Sequence, residues 1–293
     1  MKKILASSLL ATLTVLAGCG GSGTQVSTSV PVTTYTNSAT GDADSINVVL
    51  SSGAITGFSS VNISNTATGS ATQKISDNSV TKFSLSNASG SVSFDKNAGD
   101  AIASTTINGM VVVTGQSTTE DALLVSMPNS GFGVYMASAN GTSGFGAATY
   151  WGKTGSRSSY YPTGTATYQG AAVGLYGVTG FSPVYTAANM TAIANFSTNR
   201  ILFSTNGTVG ISTVTGASLG SYGALDISGK ILTDTTGNNL FVGAISDGSG
   251  LSGSAEIALF GSSAQEAAGI GSLTNNWNGT PTKVHLISFG GKK

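Results

Sequence analysis

Charge is what this chain has least of. Only 8% of its 293 residues are Asp, Glu, Lys or Arg, against about 25% in an ordinary soluble domain. The 12 basic residues balance the 12 acidic ones, so no positive surplus exists to neutralise phosphates and a nucleic-acid role is excluded. Cysteine occurs once, at Cys19, which rules out an intramolecular disulfide. Histidine also occurs once, at His285, so any acid–base chemistry through imidazole would have to pass through that residue. No helix of ten or more residues is predicted after the first twenty, and this excludes the α/β nucleotide-binding folds. What remains is Gly, Ser, Thr and Asn around 40% apolar residues, enough to bury a core and too much for a disordered chain.

The opening segment, MKKILASSLLATLTVLAGCG, carries two lysines, a short apolar stretch and then small residues, the layout of a secretory signal. Leu16-Ala17-Gly18-Cys19 resembles the lipobox of bacterial lipoproteins, in which the cysteine thiol is acylated and becomes the new N-terminus. The resemblance implies a signal over 1–18 and a lipid anchor on Cys19, strong enough to hold the protein at a membrane. Gly20, where Asp would signal retention at the inner membrane, implies the outer membrane. From 19 to 44 the chain is Gly, Ser, Thr, Val and Asn without clear apolar period and reads as a flexible tether.

Short β-like runs follow at 46–50, 82–86, 92–94, 107–113 and 122–126, separated by Gly, Asn and Asp. Met127-Pro128-Asn129-Ser130-Gly131 reads as a boundary, because Pro and Gly end strand pairing. Beyond it, between Asp121 and Asp226, the only charges are Lys153, Arg157 and Arg200. Strand candidates now recur near 145–151, 164–177, 190–197, 200–211, 222–232, 239–246, 252–260, 269–274 and 283–289. The expected fold is all-β: a β-rich N-terminal domain over 45–128, then an eight-stranded antiparallel up-and-down barrel over 129–293. One stretch departs from the strand spelling. Ser263-Ala264-Gln265-Glu266-Ala267-Ala268-Gly269 reads as a turn of helix, with Ser263 and Glu266 as a capping box and Gly269 as the stop.

Three segments carry a family likeness. Gly164 to Gly174 (GTATYQGAAVG) resembles the opening strand in the barrel domain of the transferrin-binding protein B family, and Ala194-Asn195-Phe196-Ser197 its next strand. Leu259 to Ile270 resembles that family's closing signature, although Ala268 stands where a glycine is usual and Ile270 where an aromatic is usual. The likeness covers roughly 140–290. It implies a handle-like domain before the barrel, display at the cell surface, and a macromolecular partner, with iron-carrier or haem-carrier proteins as one class.

Catalytic candidates are few. His285 sits in the last strand candidate and reads as structural or solvated, the alternative being an axial haem ligand. Glu120 and Asp121 are adjacent and point to opposite faces if extended. Asp42-Ala43-Asp44 lacks the spaced ligands of a calcium loop. Gly248-Ser249-Gly250-Leu251-Ser252-Gly253 fits GxGxxG but leads into a strand and reads as a turn. No catalytic, cofactor or metal site is assigned, and no enzyme activity is expected. An aromatic and basic cluster, Phe132, Tyr135, Phe145, Tyr150, Trp151, Lys153, Arg157, Tyr160 and Tyr161, is the candidate partner surface. Phe132, Tyr135 and Trp151 could equally fill a core. Arg157, Tyr160 and Tyr161, beside Pro162 in a Ser-rich loop, are the residues expected to be exposed. The expected function is therefore an outer-membrane lipoprotein that binds another protein. The rival readings are a periplasm-facing structural lipoprotein and a secreted hydrolase or inhibitor.

Overall fold

Alternation with a period of two governs nearly every described segment. The computed structural model describes residues 32–39, 41–64, 66–74, 79–138, 141–152, 158, 162–234, 240–276 and 279–293. In chain order the strands are β1 (Val32–Ala39), β2 (Ala43–Ser51), β3 (Ala54–Ser64), β4 (Ala67–Lys74), β5 (Val80–Asn87), β6 (Gly90–Asp95), β7 (Ala101–Ile107), β8 (Met110–Gln116), β9 (Glu120–Ser126) and β10 (Ser130–Ser138). They continue with β11 (Ser143–Gly152), β12 (Thr165–Val178), β13 (Val184–Asn195), β14 (Arg200–Ile211), β15 (Ser218–Ser221), β16 (Ile227–Asp234), β17 (Leu240–Asp247), β18 (Ser252–Phe260), β19 (Glu266–Thr274) and β20 (Lys283–Lys292). Two single 3-10 turns are the only helical pieces among the described residues.

These strands form three sheets. A four-stranded sheet runs β1-β4-β5-β6, and a seven-stranded sheet runs β3-β2-β11-β10-β9-β8-β7. In the third, β12 pairs with both β13 and β20, and β13 pairs with β14, so eight strands close into an antiparallel barrel. Short β15 lies outside the ring on β14. Closure removes the free edges that an open sheet would leave to aggregate.

The seven-stranded sheet is the middle layer. In β9 the run Ala122-Leu123-Leu124-Val125 is buried on both faces, the spelling of a covered central strand. Leu123 and Val125 join Val112, Phe132, Val134 and Tyr150 against the outer face of the barrel, where Ala171, Val173, Leu175, Ile270, Val284 and Leu286 meet them. Ala122 and Leu124 turn the other way with Val113, Tyr135 and Trp151 to cover Phe83, Leu85 and Phe94 of the small sheet. The barrel lumen is filled separately by Tyr168, Ile201, Phe203, Phe241, Ile257, Ile287 and Phe289. Trp151 explains two glycines. A Cβ on Gly69 or Gly131 would sit 2.1 or 2.5 Å from its indole ring, so the two flanking strands approach to ring contact only because neither has a side chain.

Several expectations need correction. Part of the expected tether, 32–39 and 43–44, is strand: β1 pairs with β4 across Tyr35 and Ala71, and β2 begins at Ala43. Its Thr- and Val-rich composition favours extended backbone when a partner strand is present. The run 107–113 is a hairpin, because Asn108 and Gly109 have φ of 47° and 74°, the left-handed pair of a tight turn between β7 and β8. Met127 to Gly131 is likewise a hairpin turn within one sheet, closed by Met127 N–H donating to the Ser130 carbonyl. The change of sheet comes later: β10 and β11 pair with β9 and β2, and the barrel sheet begins at Thr165. The helical turn at 263–269 is absent. Residues 261–264 make a tight turn, Ala264 takes a left-handed φ of 52°, and β19 starts at Glu266. The turn inserts buried Ala264 among the lumen side chains, and the Tyr168 hydroxyl donates to its carbonyl at 2.9 Å.

Candidate functional site

The residues proposed from sequence separate into three groups. Cys19, Arg157, Tyr160 and Tyr161 lie outside the described residues. The aromatics Phe132, Tyr135, Tyr150 and Trp151 are buried core, with Phe145 half-buried edge-on to Tyr135 at 5.7 Å. That removes the four buried aromatics from any contact surface, for a reason visible in the pairing: each lies on an inner strand of the seven-stranded sheet, covered there on both faces.

His285 projects into the lumen from β20. Its Nε2 lies 3.3 Å from the Thr186 hydroxyl, Tyr176 meets its ring edge-on, and its Nδ1 has no partner. Burial pushes its pKa down to about 3, because an imidazolium would lose its hydration there. The adjoining void is about 10 Å³, room for about one water. Among the described residues no cluster of three His, Cys, Asp or Glu could hold a metal ion.

The polar groups that sequence reading missed lie in the seam between the barrel and the seven-stranded sheet. Glu266, expected from its spacing to cap a helix, is buried on the outer face of β19. It accepts from Asn129 N at 3.1 Å, from Asn129 Nδ2 at 3.1 Å and from Ser130 Oγ at 2.8 Å. The Ser288 hydroxyl donates to the Thr149 carbonyl at 2.6 Å. Further along, Asp42, Asp44 and Glu256 converge. Tyr150 Oη donates to Asp42 Oδ2 at 3.2 Å, and the Ser272 hydroxyl serves Asp44. Burial, then the neighbouring Asp42 carboxylate, push Glu256 up to about 8, while the Tyr150 hydroxyl opposes the shift. Burial, partly offset by Ser272, pushes Asp44 up to about 6.

At one end of this seam the turns of both sheets draw apart around a cleft of about 400 Å³. Its walls come from Gly53 after β2, Gln116 at the end of β8, Thr118 and Thr119 before β9, Met136 and Ser138 of β10, Pro183 before β13 and Tyr185 in it, and Thr213 after β14. Asp121 stands in it. Its Oδ1 accepts from Gln116 Nε2 at 2.8 Å and Thr213 Oγ1 at 2.7 Å, and its backbone carbonyl accepts from the Tyr185 hydroxyl at 2.9 Å. Its neighbour Glu120 points the other way and accepts from Ser93 N, as their adjacency in a strand requires. Phe181 and Val214, each one residue from a cleft-lining residue, are exposed at 66% and 48%.

A closed eight-stranded barrel carrying two stacked sheets is the class that this geometry defines. No protein-family model and no characterised protein matches the sequence. Among solved structures, the chain is similar to transferrin binding protein B from Haemophilus parasuis, at 10% identity and a TM-score of 0.42 over 78% of this chain and 54% of that one. Transferrin binding protein B from serogroup B Neisseria meningitidis gives 11% and 0.39 over 78% and 52%. A protein of unknown function of the DUF3598 family from Nostoc punctiforme gives 11% and 0.22 over 87% and 96%. The chain thus spans about half the length of the two transferrin binding proteins. The barrel assignment stands on the strand pairing, not on scores of this size.

Proposed function

We propose that the chain is a lipid-anchored outer-membrane protein, displayed at the cell surface, whose task is to bind another macromolecule without transforming it. The observation that carries this reading is the sole cysteine, Cys19, set in a lipobox-like Leu-Ala-Gly-Cys after a basic and apolar leader. Two features support the non-enzymatic part. The one histidine is sealed in the lumen beside space for about one water, and large exposed apolar side chains such as Phe181 and Val214 stand on turns, where binding proteins carry contacts. An iron-carrier or haem-carrier protein is the partner class suggested by the three segments that resemble the transferrin-binding protein B family. Replacing Cys19 with Ala tests the reading. The variant should lose incorporation of labelled palmitate and move from the outer-membrane fraction to the soluble fraction. Continued tight membrane association would overturn it.

A further inference from the structure

The cleft at the end of the seam holds a carboxylate with no positive neighbour among the described residues. Asp121 Oδ1 is held by two neutral donors, Gln116 and Thr213, while Oδ2 receives no bond from any described residue. None of the described turn residues that wall the cleft is Lys or Arg: 50–53, 116–121, 136–138, 141–143, 180–185 and 211–217 are all without a basic side chain. The single ion pair among the described residues, Lys82 with Asp95, is elsewhere, on the small sheet. A fixed carboxylate in a recess, oriented by neutral donors, is what a desolvated cation requires from its receptor. The side walls are apolar, from Leu50, Met136, Pro183 and Tyr185, and suit the methylene stem of a long basic side chain. Phe181 and Val214 place exposed apolar surface beside the opening.

We propose that this cleft is a docking site for an arginine or lysine side chain of a protein partner, flanked there by apolar residues, with Asp121 as its counter-charge. The inference rests on the reading that the chain binds a macromolecule, and it names the chemistry of the contact. Arginine is the better fit, because a guanidinium can bridge Oδ2 and the neighbouring hydroxyls in one plane.

The test is a titration of the full mature chain, held in detergent micelles, with a Leu-Leu-Arg-Leu-Leu peptide and with the same peptide carrying citrulline, a neutral isostere of arginine. Binding is read from the Gln116 side-chain amide and the Thr213 backbone amide by NMR. The arginine peptide should move both resonances and bind about tenfold or more tightly than the citrulline peptide, the range for a charge-assisted hydrogen bond. Asp121→Asn, which keeps the Oδ1 acceptor, should erase that preference. Equal binding of the two peptides overturns the proposal, and so does a preference that survives Asp121→Asn or an absence of shifts at Gln116 and Thr213. Butylguanidinium binding as tightly as the arginine peptide would overturn the protein-docking part. If Asp121→Asn fails to fold, the comparison of peptides on the unmodified chain still decides. The titration reads the cleft alone and the Cys19→Ala fractionation reads the anchor alone, so failure of one is not failure of the other.

Discussion

The two faces of the seven-stranded sheet are held by different means. Toward the four-stranded sheet the contact is mainly aromatic: Phe83 stacks on Phe94 at 4.8 Å, Trp151 fills the gap left by two glycines, and the polar bonds that cross it, Ser93 N to Glu120 and the Tyr135 hydroxyl to the Gly90 carbonyl, bury no carboxylate. Toward the barrel a similar apolar layer is crossed by polar rungs, Glu266 to Asn129 and Ser130, Ser288 to Thr149, and the Asp42, Asp44 and Glu256 group. Apolar area brings layers together without preferring one offset strongly. A buried carboxylate that needs several donors is satisfied at one offset only, and costs free energy at all others. The apolar area of both faces is therefore the source of adhesion, and the buried carboxylates of the seam are the source of alignment for the cleft that both layers wall.

The comparison can be broken hardest on the aromatic face. Trp151→Ala should cost about 3–5 kcal/mol, a fall in Tm of roughly 10 °C, measured by calorimetry. A loss near that of a surface substitution would show that the indole is not a packing anchor. On the barrel seam, Glu266→Ala should cost about 1–3 kcal/mol by stranding the Asn129 and Ser130 donors, and Glu266→Gln should recover part of it. Urea midpoints for the pair measure this, and a variant as stable as the parent would remove the rung from the account.

The seam should also respond to pH. Glu256 rises from its ordinary 4.5 to about 8, so the folded chain keeps a proton that the unfolded chain releases. Its stabilisation is complete below about pH 4.5 and is lost as pH climbs through 8. Asp44 adds a similar loss between 3.8 and about 6. Urea midpoints should accordingly fall between pH 5 and 9, and Glu256→Gln should flatten the upper part of that slope. An unchanged slope would assign the dependence elsewhere. The lumen responds with the opposite sign. His285 is lowered from 6.5 to about 3, so its contribution is present above pH 6.5 and is lost as pH falls toward 3. His285→Leu should keep its acid-side stability better than the parent in the same midpoint series, and an identical acid limb would contradict the burial explanation.

Much of the fold was legible because period-two spelling survives in the barrel strands. In β20, Val284, Leu286 and Ser288 face the seam while His285, Ile287 and Phe289 face the lumen. The tight turns were harder. Asn108-Gly109 sits inside a run that reads as one strand, although the dipeptide itself is a hairpin signal. Glu266 was misread for a physical reason: a Ser three residues before a Glu is the same spelling whether the carboxylate caps a helix or bridges to a strand 136 residues away. A lone acid inside Ala-Ala-Gly-Ile, in a chain so poor in charge, was the available signal that it is buried and bonded. The cleft was not legible at all, since its walls come from turns spread between Leu50 and Thr213. Only tertiary packing gathers them.

The central claim, display at the cell surface to hold a macromolecule, is tested most directly by protease shaving of intact cells, followed by blotting for the chain with a periplasmic protein as lysis control. The account predicts that the band is lost while the control stays whole. Full protection of the chain until the outer membrane is broken would contradict it.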